Sequence, residues 1–106
     1  MKNVILQYWE ESERGWGTRP DGCSIHLNLN EYKKYIDHIY SERYDEVPDE
    51  YDRVVGNPIE AKISQDLLDK LMDKKSIRIS QHETNNLLNL KDISPNIDEH
   101  DAKFSI

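Results

Sequence analysis

Residues 3–9 read Asn-Val-Ile-Leu-Gln-Tyr-Trp, and both alternating sets of this run carry apolar side chains: Val4, Leu6 and Tyr8 on one side, Ile5 and Trp9 on the other, with Gln7 the polar member. A strand with one wet face alternates apolar and polar. A strand apolar on both sides is covered on at least part of both faces, which makes 3–9 a central strand. Three further runs alternate in the ordinary way. Cys23, Ile25 and Leu27 interleave with Ser24, His26 and Asn28; Ile59, Ala61 and Ile63 with Glu60 and Lys62; and Ile77 and Ile79 with Ser76, Arg78 and Ser80.

Helical spacing fills the gaps between these runs. Leu29, Tyr32, Ile36, Ile39 and Tyr40 recur at three and four residues behind a cap at Asn28 or Asn30, predicting a helix that ends near Tyr44. Ser64 caps a second helix with Leu67, Leu68, Leu71 and Met72 as its stripe. Ser80 and Glu83 spell a capping box ahead of Leu87 and Leu88. The order ββαβαβα predicts an α+β domain over residues 1–92, a four-stranded mixed sheet with three helices mainly on one face. Residues 93–106 show no sustained period and read as a C-terminal tail.

Size and charge bound the function. With 106 residues the chain buries only about two thirds of its unfolded surface, which leaves little volume for a large catalytic cleft. Its 21 Asp and Glu against 14 Lys and Arg give a net charge of -7, which opposes direct binding to nucleic acid or an anionic membrane. The one cysteine, Cys23, cannot close an internal disulfide and points to a reducing interior. No window reaches the roughly 18–20 apolar residues of a membrane span, and residues 1–10 lack the pattern of a signal peptide. A soluble cytoplasmic protein is expected.

The least generic stretch is 14–22, where Gly15, Gly17, Gly22 and Pro20 shape a loop around Trp16, flanked by Arg14 and Arg19. An indole and two guanidinium groups can stack on a base and hold a phosphate, so Arg14, Trp16, Arg19, His26 and Arg53 form a candidate nucleotide-signal site, completed by a second copy of the chain. The competing expectation is that Trp16 lies over the sheet while the arginines pair with Glu10, Glu11, Glu13 or Asp21. Ser24 and His26 share a strand face and form a third candidate, a small hydrolase. Cys23 and His26 fall on opposite faces, so no thiol–imidazole dyad is expected. The dispersed His26, His38, His82 and His100 suggest no metal centre, and no phosphate-cradling motif implies a cofactor.

Charge is unevenly spread. Residues 37–60 hold eight acids and two arginines, whereas residues 62–91 hold six bases and four acids. Acids interleaved with tyrosines can imitate a nucleic-acid backbone and dock into a basic groove. The predicted partner-binding face is Glu42, Tyr44, Asp45, Glu46, Asp49, Glu50, Tyr51 and Asp52. The ordinary alternative is a solvated acidic surface.

The run Arg14-Gly15-Trp16-Gly17-Thr18-Arg19-Pro20-Asp21-Gly22-Cys23-Ser24-Ile25-His26, followed by Val47-Pro48-Asp49-Glu50-Tyr51 and Gly56-Asn57-Pro58, resembles a group of small proteins from bacteria and their phages. The resemblance brings no activity with it. It implies a phage or prophage setting, in which small acidic proteins often inhibit host systems, anti-CRISPR proteins among them. The partner expected on that basis is a bacterial defence or nucleic-acid-handling protein, or a nucleoprotein complex.

Overall fold

A computed structural model describes residues 3–13, 15, 17–41 and 50–96, with the backbone alone at Glu50 and Tyr51. The elements in chain order are β1 (Asn3–Glu13), β2 (Gly17–His26), α1 (Leu29–Ser41), β3 (Glu50–Ile63), α2 (Gln65–Lys74), β4 (Ser76–Ile79), α3 (Gln81–Asn89) and β5 (Ile93–Pro95). Among the described residues the fold is α+β with three helices, and its sheet has five strands in the order β4-β2-β1-β3-β5, every pair antiparallel. The expected four-stranded mixed sheet is therefore corrected in both respects.

The fifth strand is the start of the segment read as a tail. Ile93 pairs with Ile63 and Pro95 with Ala61, and Ile93 is buried. Three residues are too few to show an alternation, and Pro95 is compatible only with an edge position, where its missing N–H faces no partner. The second correction concerns length. β1 runs on to Glu13 and β2 starts at Gly17, so the expected loop is mostly paired strand, Glu13 opposite Gly17 and Glu11 opposite Arg19.

β1 occupies the middle of the sheet, as its two apolar faces require. On one face Val4, Leu6, Cys23, Ile25, Ala61, Ile63, Ile79 and Ile93 meet Leu71 of α2, with Leu67, Leu68, Leu87 and Leu88 packed around them. The other face carries Gln7, Trp9, Ser24 and His26 and is covered by α1, whose Tyr32 and Tyr35 rings meet His26 at 5.0 and 5.1 Å between centroids. One helix thus lies opposite the other two.

Side-chain caps start the helices. Asn28 Oδ1 accepts from the Glu31 N–H (2.9 Å) and Ser80 Oγ from the Glu83 N–H (3.3 Å). At Gly22, with φ of +81°, a Cβ would stand 2.0 Å from the Ile79 carbonyl oxygen, so only glycine lets β2 and the start of α3 approach this closely. No helix among the described residues is long and apolar enough to cross a membrane.

Candidate functional site

Between α1 and the sheet lies a chain of buried polar groups. The Trp9 indole N–H donates to Ser24 Oγ (2.8 Å), Ser24 Oγ lies 2.7 Å from His26 Nε2, and His26 Nδ1 lies 2.7 Å from Ser76 Oγ. Burial draws the His26 pKa down to about 3, so the ring is neutral at physiological pH and carries one N–H. With the Trp9 N–H already on Ser24 Oγ, the tautomer protonated at Nδ1 lets the fully buried Ser24 hydroxyl donate to Nε2 and Nδ1–H donate to Ser76 Oγ, leaving the spare O–H on half-buried Ser76 rather than on Ser24. Beside this relay the Tyr32 hydroxyl donates to Gln7 Oε1 (2.6 Å). The Gln7 amide in turn donates to the carbonyls of Tyr8 (2.9 Å) and Val55 (3.0 Å). Two steps along β1, from Leu6 to Tyr8, face four along β3, from Ile59 to Val55, and the Gln7 amide bonds carbonyls of the Tyr8–Val55 pair that borders this bulge. Burial raises the Tyr32 phenol to about 12, with the nearby Tyr40 adding to the rise.

The Ser24 to His26 contact has the donor direction of a serine activated by a base. Both residues are fully buried beneath α1, and the far ring nitrogen is held by a serine rather than a carboxylate. As folded, the pair ties β2 to β4 and to Trp9 and presents no nucleophile to solvent.

Beyond the helices β1, β2 and β3 continue as an antiparallel ribbon rich in carboxylates. The register sets Glu13 opposite Glu50, Glu11 opposite Asp52 and Glu10 opposite Arg53. On the α1 face, Arg19 bridges Glu11 (2.8 Å) and Glu13 (2.9 Å), while Arg78 reaches from β4 to Asp21 and Asp52, both at 3.0 Å. The Arg78 guanidinium also sits 4.6 Å above the Trp9 ring and donates to the Asp21 carbonyl (2.7 Å). Burial pushes the Asp21 carboxyl up, and a hydrogen bond to Asp52 and that neighbour's charge add to the push, against the pull of Arg78. On the opposite face Glu10 Oε1 holds Arg53.

The nucleotide-signal residues do not converge in what is described. Arg14 and Trp16 lie outside the described residues. Arg19 and Arg53 are held by glutamates on opposite faces of the ribbon, and His26 is in the core. Of the acidic face, Glu42, Tyr44, Asp45, Glu46 and Asp49 lie outside the described residues, Glu50 and Tyr51 are placed by backbone register, and Asp52 binds Arg78.

Sequence reasoning missed the contribution of Glu11, Glu13 and Asp21 to the face that holds Asp52, and of Glu10 to the face behind it, because charge counted along the chain does not see neighbours across strands. It also passed over Gln7, whose signal was available: one amide in an otherwise apolar central strand. Among the described residues no three His, Cys, Asp or Glu side chains are grouped to hold a metal ion. Comparison with known protein families, curated proteins and solved structures found no match, so geometry and resemblance carry the functional reading.

Proposed function

We propose that this chain is a non-enzymatic binding protein that engages a positively charged partner through the acidic outer end of its sheet. The observation that carries the reading is the register: among the described residues Glu11, Glu13, Asp21 and Asp52 gather on one face of the ribbon and Glu10 on the other, against three arginines, with Glu11 facing Asp52 across strands and Glu13 in backbone register with Glu50. Like charges directly opposite each other weaken a sheet, and a cationic partner relieves that repulsion on binding. The same ribbon carries Glu50, Tyr51 and Asp52 of the predicted face and adjoins its remaining residues in sequence.

The resemblance of the glycine-rich loop to phage and bacterial proteins supplies the partner class, a host defence or nucleic-acid-handling protein with a basic groove, which the chain would inhibit by occupying it. Co-elution with such nucleases and DNA-binding complexes at low ionic strength tests this. The expected complex dissolves as salt rises and is weakened by Glu11→Gln with Glu13→Gln, which keep size and remove charge. A complex indifferent to salt, or none at low salt across the panel, refutes the reading.

A further inference from the structure

A groove of about 290 Å³ opens on the face of the ribbon opposite α1, where the cover provided by α3 begins at Gln81; Tyr8, Glu10, Pro20, Val55 and Gln81 line it. Val55 is 44 % exposed there, one of three large apolar side chains left open among the described residues and the one on the sheet. Its cross-strand partner is Tyr8, whose half-buried phenol is pushed above its ordinary pKa by burial and keeps its proton at neutral pH. Glu10 stands two residues further along the same face. Its Oε1 takes Arg53, and its Oε2 accepts no hydrogen bond among the described residues. Arg19 also borders the groove, with its guanidinium drawn to Glu11 and Glu13.

We infer that this groove receives an arginine side chain of the partner, its methylene stem against Val55 and Pro20 and its guanidinium between the Tyr8 ring and Glu10 Oε2. The chemistry suits an amphipathic cation: an apolar floor matches the stem, and an aromatic face beside a carboxylate matches the planar head. The sheet already uses this combination once on its other face, where Arg78 lies over Trp9 between Asp21 and Asp52. The inference rests on the acidic-ribbon reading and names the anchor within it. Lysine has the stem without the plane, so the groove favours arginine.

The test is an NMR titration of the intact protein with an oligo-arginine and an oligo-lysine peptide at low ionic strength. Expected are shifts of the Val55 methyl and Tyr8 ring signals, contacts between those protons and arginine methylenes, and affinity for oligo-lysine about two- to five-fold weaker. Val55→Trp, at an exposed position, should fill the groove and weaken oligo-arginine binding by a similar factor while leaving the other amide signals in place. Shifts confined to the Glu11 and Glu13 face, with Val55 and Tyr8 unmoved, overturn the groove and leave the acidic ribbon standing. Absence of any binding overturns both. Equal response to the two peptides at Val55 overturns the choice of arginine.

Discussion

His26 is a buried base held unprotonated, and the sign of its effect on stability follows from that. Its pKa is about 3 in the folded chain against an ordinary 6.5, so on acidification the unfolded chain takes up the proton first. Its contribution to stability is therefore whole above pH 6.5 and lost as the pH falls toward 3, at up to about 1.4 kcal/mol per pH unit. Asp21 works the other way, because its carboxyl is raised in the fold and protonation favours the folded state. Comparing the native chain with His26→Gln separates the two, since Asp21 is common to both. Urea titrations at stepped pH should give a shallower acid limb for the variant, and equal limbs would show that His26 is not the group responsible.

At the scale of elements, the two faces of the sheet are held by different forces. α2 and α3 sit on an apolar cluster that includes Leu71, whereas α1 is joined to the sheet by the Tyr32 to Gln7 bond and by tyrosine rings packed edge-on or tilted against His26 and Trp9. Leu71→Ala should cost about 2–5 kcal/mol of global stability, through lost burial and the cavity left behind. Tyr32→Phe should cost about 1–3 kcal/mol, because it leaves the buried Gln7 carbonyl oxygen without its donor. Hydrogen exchange distinguishes the two: Tyr32→Phe should speed exchange of α1 amides ahead of those in α2, and uniform acceleration would contradict the division. This asymmetry was only half legible in the sequence. Alternation revealed the strand cores around Cys23, Ile59 and Ile77, apolar residues on both sides revealed the one around Val4, and Ser64 and Ser80 marked helix starts, because those signals are local. The placement of α1 on its own face depends on Gln7, Trp9, Ser24 and His26 lining up across strands, and no single segment records that register.

Across the whole molecule, pairing overrides composition. Residues 10–13 and 17–22, charged or rich in glycine and proline, have little strand character of their own and are held extended by the central strand and by each other. The candidate site was illegible for the same reason: the carboxylates of β1 and β3 are far apart along the chain and adjacent only after the strands pair. The same topology governs how the chain assembles. β1 and β2 meet across a short connection, β3 joins β1 from far along the sequence, and β5 joins only once β3 is in place. Contacts so distant in sequence make for slow folding, in the range of milliseconds to seconds. β5, the last strand among the described residues, then acts as a latch on an assembled sheet. Truncating its anchor, Ile93→Ala, should speed unfolding in stopped-flow measurements and leave the refolding rate nearly unchanged, and a slowed refolding limb would place β5 in the nucleus instead. During translation the outer edge of β3 beside Ala61 and Ile63 stays uncovered until Ile93–Pro95 has left the ribosome, an interval in which the nascent chain is most open to pairing with the wrong strand.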